Sequence, residues 1–529
     1  MSPNPDSQRE PSREELMAVI AAQAAEIAGL KARIAELERR LGLNSSNSGK
    51  PPSSDGLKKP PRPARTQSLR GPSNKPSGGQ KGHKGETLEQ VAAPDHVIDH
   101  VPPSCATCGS AMTLEMTVGH SARQVFDLPA PAPLIVTEHR AHDCRCAACG
   151  ARTRAAFPDG VNAPVQYGPR IAAFVIYLLH YQLLPEDRLA EAMADLFGVG
   201  IVAATIARIS RSCAARLQEF VAIVRDRVAA AAVKHMDETG FRVGGKTQWL
   251  HIGSTALLTF YRICHKRGSL LANVVGTVVH DHWKPYYTLP GVRHALCNAH
   301  HLRELKALIE IEKEDWARRM QQLLRRACHA ANLARERGGA LATLKPRLAE
   351  QLERRYDAIV AEGLAYHEAQ GALAAPLAHA TSKDAGPPRG RIKRRIGHNL
   401  LLRLRDRKPD TLRFLRDAAV PFTNNQGERD GRMMKVKMKI SGGFRCQDGA
   451  ADFACIRSFI STVKKHGWNV IHALTQDPQI LISALRSAYA ANAHPGQLLR
   501  LLTVASMGLC GHPRPMRTGI EIQKINTGG

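Results

Sequence analysis

The feature that most constrains the fold of this chain is a series of short extended segments between residues 233 and 281. β-Branched and aromatic residues bounded by turn signals predict strands over residues 233–237, 249–253, 258–263 and 274–281. The pair Gly244-Gly245 predicts a tight hairpin turn between the first two strands. Three such strands, followed by a crossover and a further strand, predict an α/β core.

The segments that follow extend this prediction. Residues 293–304 read as a fifth short strand that enters a helix, which completes the strand order of an RNase H-like core. Residues 306–420 are helical and basic and predict a long insertion. The catalytic core is therefore expected over residues 233–305 and 421–475, with a C-terminal region over residues 476–529.

Three acidic residues stand where a metal-dependent site would need them. Asp237 and Asp281 each end a predicted strand, and Glu428 lies in a helical stretch after the insertion. Carboxylates in these positions can converge on two Mg²⁺ (or Mn²⁺) ions, which prefer oxygen ligands and hold the attacking and leaving oxygens of an in-line displacement. Other acids compete for the third position but lie in an ordinary helical charge pattern: Glu304, Glu310, Glu312 and Glu314. The three acids predict a site that cuts phosphodiesters.

The charge of the chain agrees with a nucleic-acid substrate. Its 529 residues include 74 Lys and Arg against 47 Asp and Glu, a formal net charge of +27, so a polyanionic partner is expected. The longest apolar run, residues 171–184, is interrupted by His180 and is too short to span a bilayer. Residues 1–13 lack the pattern of a signal peptide. We expect DNA and no membrane as the partner, and a cytoplasmic, nucleoid-associated protein.

Basic side chains in three segments are candidate DNA contacts. The sequence pattern of residues 165–232 is typical of a helix-turn-helix, although a helical hairpin that buries Ile206 and Ile209 fits equally well. A strongly basic run near the end of the insertion, Arg389 to Arg416, favours contact with a DNA backbone over a solvated charged face. Arg432 shares a helix face with Glu428 and is expected to hold a phosphate or orient the acid. The predicted DNA-binding residues are Arg208, Arg211, Arg391, Lys393, Arg394, Arg395, Arg429 and Arg432.

The N-terminal part of the chain carries a heptad stripe. Over residues 14–42, apolar residues recur at spacings of four and three, with Ile at one seam position and Leu at the other, which favours a parallel, leucine-zipper-like dimer. Gln23 falls at a core position, where it would set register. The alternative is a helix packed on the protein's own core. Residues 43–90 predict a disordered basic linker, because Ser, Pro, Gly and Lys cannot form a core; it can contact phosphates or serve as a spacer.

Two cysteine pairs predict a structural zinc site. Cys105-x-x-Cys108 and Cys146-x-x-Cys149 each supply two thiolates from one tight turn, which suits tetrahedral Zn²⁺. The 37 residues between the pairs exceed the usual short spacing, Cys144 is a competing ligand, and four coincidentally placed cysteines are the alternative. A closed site of four thiolates would stabilise a small domain and take no part in catalysis.

A third group of possible ligands lies beside the core. Cys297, His300 and His301 have a spacing that can hold a metal. Three ligands without a partner cluster are weak evidence for one. Packing and hydrogen bonding around the core are therefore the favoured roles of these side chains.

The whole chain predicts an α/β fold: a coiled-coil helix, a disordered basic linker, a zinc-binding domain over residues 91–160, a helical region, and an RNase H-like catalytic core with a long helical insertion. Its motifs resemble those of the DDE transposases of the insertion sequence sixty-six family over nearly the full length. The segments that carry the resemblance are Leu41 to Asp55, Gly79 to Gly85, the paired cysteines, Asp237 to Gly240, His280-Asp281, Cys297 to Glu304, Asn424 to Arg432 and Ser458 to Thr462. Gly49 stands where a further Ser is expected.

The resemblance implies DNA transposition, with Asp237, Asp281 and Glu428 matching the metal-binding triad. We expect the protein to bind the terminal inverted repeats of its own element, free the 3′ hydroxyls and join them to target DNA. The partners would be DNA, a second copy of the chain and accessory proteins of the element. The alternatives are a catalytically inactive, dimeric DNA-binding regulator and an RNase H-like, structure-specific nuclease.

Overall fold

The computed structural model describes residues 12–44, 47–48, 90–127, 134–268, 271–339, 342–370 and 394–490. The chain divides into two compact units. The larger unit is drawn from residues 1–69, 160–191 and 201–529, and the smaller from residues 70–159 and 192–200. The large sheet belongs to the larger unit, and the cysteine pairs belong to the smaller one.

Helices make up most of the larger unit. In chain order, the helices of the described ranges are α1 (Arg13–Gly42), α2 (Pro169–Ile176), α3 (Glu186–Phe197), α4 (Ala203–Arg216), α5 (Gln218–Ala230), α6 (Asn298–Ala307), α7 (Asp315–Gly338), α8 (Pro346–Ala369), α9 (Ile396–Asp406), α10 (Lys408–Arg416), α11 (Asn425–Ile440), α12 (Gln447–Lys465), α13 (Val470–Thr475) and α14 (Pro478–Ala490). Two π-helical segments, Tyr177–Tyr181 and Leu308–Glu312, and two 3-10 turns, Leu114–Met116 and Lys284–Thr288, join them. Among the helices described, none is long and apolar enough to cross a membrane.

Two sheets contain the strands. They are β1 (Asp143–Arg145), β2 (Arg152–Arg154), β3 (Val233–Val243), β4 (Lys246–Ser254), β5 (Thr259–Cys264), β6 (Thr277–His280) and β7 (Arg293–Leu296). The larger sheet has the order β5-β4-β3-β6-β7. Strands β5, β4 and β3 pair antiparallel, whereas β3, β6 and β7 pair parallel. The predicted mixed α/β architecture and the predicted fifth strand are thus confirmed.

The hairpin between β3 and β4 is built as its glycines predict. Gly244 and Gly245 have φ values of 52° and 77°, in the left-handed region that a two-residue hairpin turn of this kind requires. Their substitution would strain the turn, because residues with a Cβ rarely adopt that conformation. The turn fixes the register of β3 against β4, with Val243 opposite Lys246 and Asp237 opposite Ile252.

Strand β3 is longer than predicted, and this corrects the expected position of Asp237. The sequence predicts that the strand ends at Asp237, but β3 continues to Val243. The reason is that Phe241 and Val243 alternate with exposed Arg242 and are buried, so the strand continues to bury an apolar face after its polar centre. Asp237 therefore lies within a strand and not at its end.

Three apolar clusters hold the large sheet between helices. One joins β5 to α5, α12 and α14, another joins β6 and β7 to α7, α8, α9 and α10, and the third joins β3 and β4 to α11 and α12. Phe220, Phe453 and Phe459 are fully buried in these clusters, and each burial stabilises the fold by roughly 1.5–3 kcal/mol. The strands that carry Asp237 and lead to Asp281 are therefore fixed by packing on helices from distant parts of the chain.

Helix α1 is well capped but leaves its apolar stripe uncovered. Ser12 and Glu15 form a capping box, with hydrogen bonds of 2.7 and 3.2 Å between side chains and backbone. Along the stripe, Ile27 and Leu30 are 52 % and 56 % exposed. Only the C-terminal end meets the rest of the unit, where the side chain of Asn47 donates to Glu310 over 3.2 Å. In the part of the chain that the structure describes, the stripe does not pack on the protein's own core.

Candidate active site

Asp237 and Asp281 lie on neighbouring parallel strands. The register of β3 and β6 runs from Val233 opposite Thr277 to His235 opposite Val279. Asp237 lies two residues beyond the last position of β3 that pairs with β6, and Asp281 directly follows β6, so both acids lie at the same edge of the sheet. The Asp281 side chain accepts the backbone N–H of Trp283 over 3.1 Å, so its carboxylate is held by the turn that follows the strand.

The electrostatics of Asp237 link all three predicted acids. Burial, together with the negative charges of Asp281 and Glu428, raises the pKa of its carboxyl to about 7, against a hydrogen bond from the backbone N–H of Glu238 and the positive charge of Lys435. Neighbouring carboxylates repel one another when all are ionised, and a bound cation relieves this repulsion. Asp281 and Glu428 thus lie in the immediate electrostatic environment of Asp237.

Asn424 ties the start of α11 to the strand that carries Asp237. Its Nδ2 donates to the carbonyl of Met236 over 2.9 Å, and its Oδ1 lies 2.8 Å from Nδ1 of His235. Its backbone N–H donates to Sγ of Cys297 over 3.0 Å. Glu428 follows one helical turn later, with its N–H bonded to the carbonyl of Asn424. Asn424 therefore sets the position of Glu428 relative to β3, a role that the sequence did not reveal.

A glycine allows α11 to approach the sheet at this point. A Cβ at Gly431 would lie 2.8 Å from Cδ1 of Ile252 and 4.0 Å from Oδ2 of Asp237. Any larger residue would displace the helix or Ile252. Asp430, the preceding residue, anchors the same helix through a 2.7 Å ion pair with Lys465. Helix α11 is thus held against β3 and β4 at the level of Asp237.

Helix α6 and Cys297, the residue just before it, present three side chains to Glu428. Cys297 Sγ lies 4.0 Å and His300 Nδ1 3.9 Å from Oε1 of Glu428, and Arg303 Nη2 lies 3.6 Å from Oε2. These residues are three positions apart, so they fall on one face of the helix. His301 points away: it is buried, with Nδ1 3.1 Å from Oδ1 of Asn298.

This arrangement changes the interpretation of the third ligand group. His301 does have the packing and hydrogen-bonding role that the sequence favoured. Cys297 and His300 instead converge with Glu428, and among the described residues this is the group of three side chains with ligand atoms within 4.8 Å of one another. Burial raises the pKa of the Cys297 thiol to about 11. The sequence missed this group because Glu428 lies 131 positions from Cys297.

The competing acids have other partners. Glu304 forms an ion pair with Arg403, and Glu310 lies 3.5 Å from Lys306. Glu314 is buried 3.3 Å from Nε2 of His367, and its burial raises its pKa to about 7. Glu312 is exposed. The carboxylates that raise the pKa of Asp237 are Asp281 and Glu428, and these four do not contribute.

Glu238, the neighbour of Asp237, fixes the opposite side of β3. Its buried carboxylate pairs with Arg267 and accepts the backbone N–H of Gly268 over 3.1 Å. The Arg267 guanidinium lies 3.6 Å from the ring centre of Trp283, two residues after Asp281, a cation–π contact. Glu238 therefore stabilises the turn that carries Asp281. The sequence contains the Asp237-Glu238 pair, but no hydrophobic periodicity in it predicts that Glu238 stabilises this turn.

The predicted DNA-binding residues lie on three surfaces. Arg208 and Arg211 are exposed on α4, on the side opposite buried Ile206. Ile209 is partly buried against the core, so the geometry agrees with both interpretations of this segment. Arg394 is exposed, and Arg395 is half-buried at the start of α9. Arg391 and Lys393 lie outside the described residues. On α11, Arg429 and Arg432 are exposed beside Lys435 and Lys439.

Much of the basic run that ends the insertion is paired within the chain. The pairs are Arg403 with Glu304, Lys408 with Asp357, Arg413 with Asp410 and Arg416 with Glu353. These contacts join α10 to α8 and α9 to α6. A large part of the positive charge in this run therefore balances acids of neighbouring helices, which the linear sequence did not show.

The two cysteine pairs have the same backbone structure. The N–H of Gly109 donates to the carbonyl of Cys105 over 2.9 Å, and the N–H of Gly150 donates to the carbonyl of Cys146 over 2.8 Å. Both glycines have φ values in the left-handed region, 75° and 72°. Hydrogen bonds, chiefly from the Ser110 side chain, lower the pKa of Cys108 to about 7. These turns fit thiolate ligation of Zn²⁺.

Cys144 is the competing ligand, and it lies in a different setting. It is in strand β1, opposite Thr153 of β2, and outside both glycine turns. Within each turn, backbone and side-chain hydrogen bonds favour the thiolate form of one cysteine. The duplicated turns thus distinguish the paired cysteines from Cys144.

Comparison with protein families agrees with this geometry. Residues 164–452, more than half of the chain, match the model of the Transposase IS66 family. Residues 102–150 match the zinc-finger binding domain of transposase IS66. Residues 2–89 match a family of unknown function, DUF6444. No curated protein matches the chain.

The family match and the zinc-finger match together identify the chain as a transposase, an enzyme of DNA transposition that binds DNA. More particularly, it belongs to the Transposase IS66 family. The expected family is thereby confirmed. The zinc-finger match also supports a structural zinc ion, and the family supports a divalent metal in the enzyme.

Proposed function

We propose that Asp237, Asp281 and Glu428 are the catalytic triad of a DDE transposase and hold two Mg²⁺ (or Mn²⁺) ions. The observation that carries this proposal is the convergence of the acids: Asp237 and Asp281 lie just beyond the paired residues of two neighbouring parallel strands, and the charges of Asp281 and Glu428 both raise the pKa of Asp237. When bound, the ions would activate the attacking water or 3′ hydroxyl and stabilise the charge that develops at the phosphate. The carboxylates supply oxygen ligands, and Asn424 and Gly431 keep them in position.

An RNase H-like core is the fold that we propose for this centre. Three antiparallel strands followed by two parallel ones, with an acid on the first and another after the fourth, support it. The core would comprise residues 233–305 and 421–475, separated by the helical insertion at 306–420. The helical region at 165–232 would precede it.

Exposed basic side chains near Glu428 would contact the substrate. Arg429, Arg432, Lys435 and Lys439 form an exposed row along α11, and such a row matches the spacing of charges on a DNA backbone better than that of a small anion. Arg303 approaches the other side of Glu428. We propose that this row holds the scissile strand, and that Arg208 and Arg211 of α4 contact the terminal inverted repeats.

The remaining parts would serve assembly and stability. The uncovered stripe of α1 supports pairing with a second copy in a parallel coiled coil, because Ile27 and Leu30 are more than half exposed in the single chain. Each of the two similar turns supports a pair of thiolate ligands, Cys105 with Cys108 and Cys146 with Cys149. Among the residues that the structure describes, the two pairs do not come together within 4.8 Å, so one Zn²⁺ shared by all four residues rests on the zinc-finger match. Dimeric binding to both element ends would bring the two cutting sites together.

A paired assay tests this function. Cleavage and strand transfer with supercoiled target DNA are measured beside a gel shift on element-end DNA, for the parent chain and for Asp281→Asn and Glu428→Gln. Both variants should lose cleavage and joining but keep end binding. Glu368→Gln, which neutralises an exposed helical glutamate, is the matched control and should retain activity.

The outcomes separate the alternatives. If the protein is a regulator, the parent chain should bind the element ends without cutting them. If it is a structure-specific nuclease, the parent chain should cut DNA without joining it. If either acid variant joins DNA at the parent rate, that residue is not part of the catalytic centre. Glu304 would then be the next candidate for the third acid.

A further inference from the structure

Glu428 is shared between two different environments. Its negative charge raises the pKa of Asp237 in the sheet. Its Oε1 atom faces a thiol and an imidazole, with Cys297 Sγ at 4.0 Å and His300 Nδ1 at 3.9 Å. The second environment contains sulfur and nitrogen ligands, which a site for Mg²⁺ does not need.

The three ligand atoms have the spacing of a metal site. They lie within 4.8 Å of one another, whereas bond lengths of a tetrahedral zinc site imply ligand separations of roughly 3.5 Å. The two distances from Oε1 of Glu428 exceed this value by about 0.5 Å, and no separation within the group exceeds it by more than about 1.3 Å, so small movements of the three side chains would close the difference. The site would use three protein ligands and leave the fourth position open.

Two further observations indicate that the group is ready to bind a cation. The Nδ1 atom of His300 is buried and has no hydrogen-bond partner among the described residues. The backbone N–H of Asn424 donates to Sγ of Cys297 over 3.0 Å, which directs the sulfur toward the group. A solely structural Cys297 would not explain why an imidazole nitrogen without a hydrogen bond lies beside it, with Glu428 as its charged neighbour at 3.9 Å.

We propose that Cys297, His300 and Glu428 form a second metal site that takes a thiophilic divalent cation such as Zn²⁺, Co²⁺ or Cd²⁺. Hard Mg²⁺ avoids thiol ligands, so the site selects a different class of ion from the acidic triad. An ion bound here draws Glu428 away from Asp237 and Asp281. Occupancy therefore inhibits the Mg²⁺-dependent reaction, and this consequence, unlike the binding itself, rests on the proposed function.

Metal binding is measured directly on the full-length chain. After dialysis the protein retains its structural zinc, and Co²⁺ is then added; Co²⁺ bound by a thiolate gives a sulfur-to-metal charge-transfer band. The parent chain should show this band at about one added ion per chain. Cys297→Ser and His300→Ala should each weaken Co²⁺ binding by about tenfold or more, and Cys297→Ser should lose the band.

Cys328→Ser is the matched control, because it removes a partly buried thiol of α7 that lies outside this group. It should keep the parent band. His300 is partly exposed, so His300→Ala tests the site even if Cys297→Ser fails to fold, and circular dichroism checks folding of each variant. A parent chain without the band, or a folded His300→Ala chain that binds Co²⁺ like the parent, would overturn the proposal.

A second measurement separates this proposal from the proposed function. Strand transfer in Mg²⁺ is compared with and without added Zn²⁺, and the ratio is taken within each variant. Zn²⁺ should inhibit the parent and Cys328→Ser chains equally, and His300→Ala should need about tenfold more Zn²⁺ or more for the same loss. A chain that binds Co²⁺ but never joins DNA would refute the proposed function and leave the metal site standing.

Discussion

Replacing Asp237 with Asn should stabilise the protein in buffers without added divalent cations, by an amount that depends on pH. Burial, together with the charges of Asp281 and Glu428, raises the pKa of the Asp237 carboxyl from 3.8 to about 7. At about 1.36 kcal/mol for each tenfold change in proton affinity, this difference corresponds to about 4 kcal/mol. Asn keeps an oxygen that can accept the N–H of Glu238 but carries no charge.

The sign follows from proton binding. An acid whose native pKa is raised stays protonated in the folded chain when it is already ionised in the unfolded chain. The native parent protein therefore binds the extra proton between about pH 4 and pH 7, and its free energy of unfolding falls as the pH rises through this window. The advantage of Asp237→Asn should grow by about 1.4 kcal/mol per pH unit across the window and stay constant above about pH 7.

Urea unfolding followed by tryptophan fluorescence measures the difference, with both chains compared at about pH 5 and about pH 8. The free energy of unfolding of Asp237→Asn should exceed that of the parent chain by about 3 kcal/mol more at about pH 8 than at about pH 5. Asp99→Asn, at an exposed position, controls for the loss of one carboxylate. Added Mg²⁺ should reduce the stability advantage of Asp237→Asn, because the ion binds the native parent chain and stabilises it. A difference that is the same at both pH values, or smaller at the higher one, would refute the reasoning.

Three further predictions concern assembly, zinc and packing. Replacing Ile27 and Leu30 of α1 with Asp should yield monomers by light scattering, since charges cannot lie in a coiled-coil seam; a dimer of unchanged strength would exclude this interface. Cys146→Ser should remove the tightly held zinc, about one ion per chain by elemental analysis, and zinc retained at the parent level would reassign the ligands. Gly431→Ala should destabilise the chain by about 1–3 kcal/mol in urea unfolding, because its Cβ would lie 2.8 Å from the side chain of Ile252. Gly449→Ala, with only ordinary contacts at 3.5 Å, should not; equal losses would contradict the packing argument.

The sheet was largely predictable from local sequence. Gly244-Gly245 encodes its own turn, because both positions need positive φ. The short apolar run before Asp281 and the strand at Arg293–Leu296 also carry their pattern locally. The length of β3 did not follow, because the polar stretch from Asp237 to Gly240 interrupts the alternation that resumes at Phe241.

The details of the site depended on contacts between distant segments. Asn424 looks like an ordinary polar residue until its amide is seen to bridge His235 and Met236, nearly two hundred positions away. Likewise, Cys297 and His300 lie near a carboxylate only because the fold brings Glu428 of α11 to them. Sequence periodicity describes one element at a time, so it does not predict which side chains surround the three acids.

The basic run of the insertion shows the same limit for charge. The sequence favoured contact between this run and DNA, yet Arg403 and Arg416 pair with Glu304 and Glu353 of other helices. A linear count of charges cannot show such pairing, because the acids come from segments before the run. The exposed row on α11 therefore supports DNA contact more directly than the run that precedes it.

Direct measurement of Mn²⁺ binding tests whether Asp237, Asp281 and Glu428 form one metal centre. Mn²⁺ prefers oxygen ligands, and electron paramagnetic resonance of the free ion reports how much is bound. The parent chain should bind about two Mn²⁺ ions at this centre, and Asp237→Asn, Asp281→Asn and Glu428→Gln should each weaken that binding by about tenfold or more, while Glu368→Gln binds like the parent. A chain that lacks any one of the three carboxylates and still binds Mn²⁺ as tightly as the parent would contradict the single three-acid centre.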